Sequence, residues 1–175
     1  MRLFVAAWPP PPIVAALAAL PRVERAGVRW TTEDQWHVTL RFLGSVDDVR
    51  PVVDALQSLT SCAPVDVRLG PATRRLGTVL CVPVDGLAPI AAAVIDATRS
   101  IGEPPDDRPF RGHITLARAK GRAKIPNTPD LVGLPVAGAW TVDTLAVVAS
   151  HLGAPRARYE TVAEVPLTGV SGLGL

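Results

Sequence analysis

Two alternating segments constrain the fold of this chain more than any other feature of its sequence. Residues 36–44 read WHVTLRFLG, and residues 111–118 read RGHITLAR. Alternation of apolar and polar side chains over such a run is typical of a half-buried β-strand, whose successive side chains point to opposite faces. Each segment holds a His-x-Thr pair, and the two pairs lie close to half the chain apart. We therefore predict pseudo-symmetric halves, each supplying one His-x-Thr strand to a shared cleft.

Alternation also predicts which way individual side chains point. In the first segment the apolar set, expected in the core, is Val38, Leu40 and Phe42, and the polar set, expected on the opposite face, is His37, Thr39 and Arg41. In the second segment Arg118 follows His113 at an odd offset, so regular alternation places it on the face opposite the histidine. A bulge, or the end of the strand, would be needed to turn Arg118 to the same side.

The rest of the chain reads as strands separated by three short helices. Helices are predicted at 13–20, 45–60 and 87–102, and further strands at 3–8, 27–30, 65–70, 78–84, 141–152 and 157–167. Residues 71–77 are expected to form a turn and loop, and 119–135 a connector. Long βαβ repetition and a glycine-rich phosphate loop after a strand are both missing from the sequence, which argues against a doubly wound nucleotide-binding fold. We predict a single bilobal α+β domain over residues 1–175, with mainly antiparallel sheets and helices packed outside.

Composition narrows the class of protein. The chain has 175 residues, of which 48% are hydrophobic, so it can bury a core; its net charge of +2 does not indicate a nucleic-acid coat or a membrane-surface protein. Arginine supplies all basic residues except Lys120 and Lys124, which suits an anionic substrate but also fits the codon bias of a GC-rich genome. Cys62 and Cys81 have no metal-ligand spacing. Four prolines interrupt the apolar start, and no run of about 18 apolar residues occurs, so a cytoplasmic protein without a membrane segment is expected.

The paired motifs resemble the signature of the 2H phosphoesterase superfamily. Within it, RLFVAAW, WHVTLRFLG, RPFRGHITLAR and ARYETVAEVPL are similar to segments of the bacterial and archaeal RNA 2′,3′-cyclic phosphodiesterases, also called 2′-5′ RNA ligases. The resemblance runs from about residue 2 to residue 168. It implies a bilobal α+β fold in which the two motifs face each other across a cleft. It further implies a monomeric enzyme that requires no metal and no cofactor.

The implied chemistry explains the residue types. Opening a cyclic phosphate with water requires one group that takes a proton from the water and another that protonates the leaving ribose oxygen. Histidine, with an unperturbed pKa of about 6.5, can do either near neutral pH. The resemblance assigns His37 as general acid to the leaving 3′-oxygen and His113 as general base to water. Thr39 and Thr115, on the same strand faces as their histidines, are expected to donate hydrogen bonds to non-bridging phosphoryl oxygens.

Three further residues are candidates for substrate binding. Arg118 matches the phosphate-contacting arginine of the family, with a solvated surface arginine as the alternative. Arg41 has the correct parity with His37 but is not constant in the family. Phe42 sits where the family can use an aromatic ring against the substrate base, although alternation favours the core.

The remaining aromatic and histidine residues are expected to be structural. His151 is the third histidine, but the three are dispersed without the spacing of metal ligands, so no metal site is predicted. Tyr159 is expected to have a structural role, and the tryptophans Trp8, Trp30, Trp36 and Trp140 are expected to pack in the interior.

The expected function is hydrolysis of 2′,3′-cyclic phosphate at RNA ends, or on nucleotides, to 2′-phosphomonoesters. Joining such an end to a 5′-hydroxyl through a 2′-5′ linkage is the reverse direction. Two alternatives remain open: a related enzyme acting on small cyclic nucleotides, and a non-catalytic module that binds RNA ends. The presence of both His37 and His113 disfavours the non-catalytic module, whereas the motifs alone do not separate RNA from small substrates.

Overall fold

Ten β-strands and three α-helices form the part of the chain that the computed structural model describes, residues 1–153 and 156–169. Residues 170–175, included in the predicted domain, lie outside the described residues. The strands are β1 (Arg2–Ala7), β2 (Val28–Trp30), β3 (Val38–Ser45), β4 (Val65–Leu69), β5 (Arg74–Leu76), β6 (Val79–Asp85), β7 (His113–Ala119), β8 (Gly138–Val142), β9 (Thr144–His151) and β10 (Arg158–Pro166). The helices are α1 (Pro11–Ala18), α2 (Arg50–Leu56) and α3 (Ala88–Ala97), with 3-10 turns at Glu33–Gln35 and Gln57–Ser61.

The strands form one continuous sheet in the order β10-β9-β1-β3-β7-β6-β4-β8, with β2 beside β7 and β5 beside β6. All of these pairings are antiparallel. The predicted α+β class with an antiparallel sheet is therefore confirmed. The two His-x-Thr segments, β3 and β7, are direct neighbours near the middle of this sheet.

Each helix packs an apolar face against the sheet. A proline occupies one of the first two positions of every described α-helix, where its missing N–H costs no helical hydrogen bond. The buried helical residues are Ile13, Leu17, Val52, Leu56, Ile90, Ala91 and Val94. They join the strand side chains in the main core, which fixes β3 from behind.

Three element predictions are wrong in their bounds. The second helix begins at Arg50 rather than near residue 45, because Ser45 still pairs with Arg2 at the end of β3. The predicted strand 141–152 is two strands that part at Asp143: β8 pairs with β4, whereas β9 pairs with β1 and β10. Part of the predicted loop 71–77 is the short strand β5, which pairs with the outer half of β6.

The register between β3 and β7 brings the two motifs together. Val38 pairs with Ile114. Extending this antiparallel register by one residue in each direction places His37 across from Thr115 and Thr39 across from His113. Each histidine therefore lies beside the threonine of the other motif.

Candidate active site

A β-bulge follows the threonine of each motif at the same position. Against β1, β3 pairs Thr39 with Ala6 and Arg41 with Val5, which leaves Leu40 as the extra residue. Against β6, β7 pairs Thr115 with Cys81 and Ala117 with Leu80, which leaves Leu116 as the extra residue. A bulge adds one residue to one strand and so reverses the alternation beyond it.

The bulge in β7 resolves the parity of Arg118. Beyond the bulge Ala117 is buried and Arg118 is exposed, on the same side as His113 and Thr115. The Arg118 side chain makes no ion pair or hydrogen bond in the described part of the chain, although the residue lies opposite Arg29 of β2. Like charges placed directly opposite each other are unfavourable without a counter-ion. The site therefore presents a free guanidinium.

The bulge in β3 overturns the predicted orientation of Arg41 and Phe42. Phe42, expected in the core, is 38% exposed, whereas Arg41, expected on the cleft face with His37, is 5% exposed. The alternation holds only as far as Leu40, where the ladder is interrupted. Arg41 corresponds by position to the buried Ala117, and Phe42 corresponds to Arg118.

Both histidines are held by the same backbone contact. His37 Nδ1 lies 2.7 Å from the carbonyl oxygen of Gln35, and His113 Nδ1 lies 2.7 Å from that of Arg111. A carbonyl oxygen only accepts hydrogen bonds, so Nδ1 carries a proton in both rings. Each neutral imidazole consequently presents Nε2 as its lone-pair nitrogen. At His37, the Thr39 hydroxyl lies 3.1 Å from Nε2 and donates to it.

His37 sits against three aromatic rings. Ring centroids lie 4.8 Å away for Phe4, 5.5 Å for Trp8 and 5.1 Å for Tyr159. These rings exclude water from the imidazole, and this desolvation lowers the pKa of His37 from 6.5 to about 4, against the opposing effect of the Gln35 carbonyl. Trp8 is fixed in turn by a 3.1 Å hydrogen bond from Nε1 to Thr161. We call Phe4, Trp8 and Tyr159 the aromatic cage.

The predicted site residues lie close enough together for their charges to affect His37. The positive charges of Arg118 and His113 each lower the pKa of His37 further, though less than burial does. The threonines line the same face: Thr39 is exposed and Thr115 is half-buried. The structure therefore brings together His37, Thr39, His113, Thr115 and Arg118.

Arg41 has a different environment, beneath a loop. Its guanidinium donates to the carbonyl oxygens of Phe42 at 2.7 Å, of Pro104 at 3.4 Å and of Glu103. Burial lowers the pKa of Arg41, and the Glu103 carboxylate opposes that shift. Arg41 thus ties residues 103–104 to β3. The segment that follows forms a wall of a pocket of about 730 Å³, which is also lined by Phe42, Phe110 and His113.

Comparison with known proteins identifies the family. The sequence model of the 2′-5′ RNA ligase superfamily matches residues 9–154. The chain belongs to this superfamily.

One relative and two solved structures are similar to this chain. The chain is 32% identical over 152 residues to a Geobacillus stearothermophilus protein named RNA 2′,3′-cyclic phosphodiesterase; the match covers 80% of this chain but 48% of that relative. The crystal structure of TT0787 from Thermus thermophilus is 29% identical, with a TM-score of 0.81 over 97% of this chain and 99% of that one. Escherichia coli LigT complexed with 3′-AMP is 26% identical, with a TM-score of 0.70 over 95% and 98%.

Sequence reasoning missed the surroundings of the superfamily motifs. The sequence predicts only structural packing for Trp8 and Tyr159, but both contact the ring of His37. Residues distant in sequence meet here because β9 lies between β10 and β1, and the end of β1 pairs with the start of β3. The sequence signal available was only that RLFVAAW ends with an aromatic residue and that ARYET contains one.

Neither a metal site nor a membrane span is found over residues 1–153 and 156–169. No group of three or more His, Cys, Asp or Glu residues there is placed to hold a metal ion. His151, the candidate third ligand, instead lies with Nε2 3.0 Å from the Glu160 carboxylate at the surface. No described helix is long and apolar enough to cross a membrane.

Proposed function

We propose that the chain hydrolyses 2′,3′-cyclic phosphate on RNA ends or nucleotides to the 2′-phosphomonoester, with side chains alone. The observation that carries this proposal is the crossed pair of motifs, in which two imidazoles present Nε2 on one face of the sheet. The name of the Geobacillus stearothermophilus relative and the LigT complex with 3′-AMP support the substrate class. Both motifs come from one chain, so the proposed catalytic unit is a monomer.

In the proposed reaction, a water oxygen attacks phosphorus and the bond from phosphorus to the ribose 3′-oxygen breaks. His113 takes the proton of the attacking water at Nε2. His37 delivers a proton from Nε2 to the departing 3′-oxygen, which becomes a hydroxyl. The hydroxyls of Thr39 and Thr115 and the guanidinium of Arg118 hold the non-bridging oxygens as charge moves between them.

The aromatic cage determines when His37 acquires its proton. With a pKa of about 4, His37 is neutral near pH 7 in the free protein. An anionic phosphate beside the ring favours the imidazolium and raises that pKa. We infer that His37 takes up its proton when the substrate binds. The Thr39 hydroxyl, released from Nε2 when that nitrogen is protonated, then becomes free to donate to the phosphate.

The same groups catalyse joining to a 5′-hydroxyl with their roles unchanged: His113 takes the proton of the attacking oxygen, and His37 protonates the departing 3′-oxygen. A 5′-hydroxyl takes the place of water, and the product is a 2′-5′ linkage. Because water is present in large excess, hydrolysis is the direction we expect at ordinary substrate concentrations.

The experiment is incubation of the purified protein, with EDTA, against oligonucleotides and mononucleotides that end in 2′,3′-cyclic phosphate. The position of the product phosphate is read by NMR or chromatography. We expect 2′-phosphomonoesters from the wild type and from His151→Gln, which alters a surface histidine, and at least about a 10²-fold loss from His37→Gln or His113→Gln. Binding without turnover in the wild type would instead identify a non-catalytic RNA-end module. Turnover of small cyclic nucleotides alone would identify the other alternative.

A further inference from the structure

A second pocket shares a wall with the one lined by Phe42. It has a volume of about 420 Å³ and lies between β5, the end of β6 and residues 110–113. Leu76, Phe110, Arg111 and His113 line both pockets. A molecule that extends from one pocket into the other therefore passes the imidazole proposed as the general base.

The second pocket is cationic. Arg74, Arg75 and Arg111 line it, together with one carboxylate, Asp85. Asp85 lies opposite Arg68 in the register of β4 and β6, so the residues around the pocket carry more positive than negative charge.

Two of these arginines are available for a ligand. Arg74 and Arg111 are exposed, and across the described ranges neither side chain makes a hydrogen bond or an ion pair. Arg75 makes one long contact, 3.4 Å from Nη1 to the Ile125 carbonyl oxygen. Free guanidinium groups gathered in one concave site match the geometry of phosphate oxygens.

We propose that this pocket binds a second phosphate of the substrate, held by Arg74 and Arg111 beside the cyclic phosphate that reacts. The inference rests on the proposed function and names its preferred substrates: molecules with two phosphates rather than a cyclic phosphate alone. Two sources share this chemistry, the internucleotide phosphodiester of an RNA end and the 5′-phosphate of a mononucleotide.

Arg111 connects the second phosphate to the reacting one. Its side chain lines the pocket, and its carbonyl oxygen accepts the hydrogen bond that fixes the His113 ring. A phosphate bound to the guanidinium therefore orders the residue that orients the general base. We expect the second phosphate to raise kcat as well as to lower KM.

Four substrates test the proposal. They are adenosine 2′,3′-cyclic phosphate, its 5′-phosphorylated form, a diadenosine dinucleotide with a cyclic-phosphate end, and that dinucleotide with a neutral methylphosphonate linkage. Since a hydrogen bond to a charged group contributes roughly 1.5–3 kcal/mol, a second phosphate should raise kcat/KM by about tenfold or more. The methylphosphonate should lose that gain.

A matched pair of variants locates the effect. Arg74→Gln should reduce the preference for the charged dinucleotide over the methylphosphonate to nearly one. Arg99→Gln removes the same charge from the exposed end of the α3 segment, where Arg99 pairs with Asp96, and should keep the wild-type preference. Thermal melting of each variant verifies that it is folded.

The outcomes are distinguishable. A gain with the 5′-phosphorylated mononucleotide equal to that with the dinucleotide supports the site and identifies a terminal phosphate as its source; a gain with the dinucleotide alone identifies an RNA backbone. Equal kcat/KM for the charged and neutral dinucleotides in the wild type overturns the inference while leaving the proposed function intact. Absence of turnover on all four substrates overturns the proposed function itself.

Discussion

The two His-x-Thr motifs share a backbone and differ in their surroundings. Both have an imidazole Nδ1 held by the carbonyl two residues earlier, and both have a bulge immediately after the threonine. His37 is enclosed by the aromatic cage, whereas His113 opens onto two pockets. The repeated backbone fixes where the imidazoles point. The neighbours from the rest of the fold give each imidazole its own electrostatic environment.

The comparison extends to the residues beyond the bulges. The exposed position holds Phe42 in one half and Arg118 in the other, and the buried position holds Arg41 and Ala117. One half thus offers an aromatic surface and an anchored loop, and the other offers a free cation. We propose that these equivalent positions contact different parts of an asymmetric substrate.

Removing either imidazole is expected to cause the largest loss. His37→Gln and His113→Gln should each lower kcat for cyclic-phosphate hydrolysis by at least about 10²-fold, because each transfers one proton in the same step. The double variant should cost far less than the product of the two single losses, since the pair acts as a unit. Initial rates of the three variants provide the check, and near-normal turnover by either single variant contradicts the mechanism.

The residues five positions after each histidine should differ in kind. Arg118→Ala should lower kcat/KM by a factor equivalent to roughly 1.5–3 kcal/mol of transition-state stabilisation, because a charged contact is lost. Arg118→Lys should restore only part of that activity. Phe42→Ala should act mainly on KM, because an aromatic contact to a base does not change during the reaction. Arg41→Ala should have a smaller effect on kcat than Arg118→Ala. If Arg41→Ala is the more damaging of the two in kcat, the assignment of Arg118 is wrong.

The two threonines should contribute similarly to kcat/KM but differently to its pH dependence. Thr39→Val and Thr115→Val keep the β-branched shape and remove the hydroxyl, so each should lose about tenfold in kcat/KM with little change in Tm. Thr39 also bonds His37 Nε2, so Thr39→Val should additionally shift the pH profile, which Thr115→Val should leave in place. A fully active Thr39→Val protein with a much lower Tm would assign that hydroxyl to folding instead.

The aromatic cage predicts a pH dependence specific to His37. The pKa of His37 is about 4 in the folded protein, below the ordinary value of 6.5. Between pH 4 and pH 6.5 this histidine is therefore protonated in the unfolded chain and neutral in the folded protein. The free energy of unfolding should therefore fall as pH drops from about 6.5 to about 4, by about 3 kcal/mol from this group, with no further loss below pH 4. Denaturant titrations of the wild type and His37→Gln measure the difference.

A smaller change should weaken the cage without removing the imidazole. Trp8→Leu admits water to one side of His37 and should raise its pKa toward 6.5, moving the acidic limb of the kcat/KM profile upward. His113 lacks such a cage among the described residues, so no parallel substitution exists in the other half. An unmoved acidic limb would show that burial by Trp8 is not what lowers the pKa.

The sequence predicted the site to the extent that it depends on local pattern. Alternation and the repeated His-x-Thr pair identified both strands. The need for a bulge or a strand end at Arg118 followed from parity together with the resemblance to the phosphate-contacting arginine of the family. The predicted orientations of Phe42 and Arg41 are wrong because a period of two presumes an uninterrupted ladder, and the bulge at Leu40 exists only in the pairing with β1. The aromatic cage was missed because it depends on contacts between strands far apart in the chain.

The hydrogen bonds of buried Arg41 to Glu103 and Pro104 separate the loop that follows from the pairing of the strands. The segment leaves the sheet at Glu103, whose N–H donates to Leu43, and returns at Gly112, whose carbonyl accepts from Val84. Arg41 holds the chain where it leaves β3. The residues between these two backbone hydrogen bonds line the pocket and do not set the register of the strands. Lengthening a surface loop costs little conformational entropy. A protein engineer can therefore treat residues 105–110 as a cassette, keeping Arg111 because its carbonyl oxygen fixes the His113 ring. We expect its exchange to change substrate selectivity while the paired histidines stay in place.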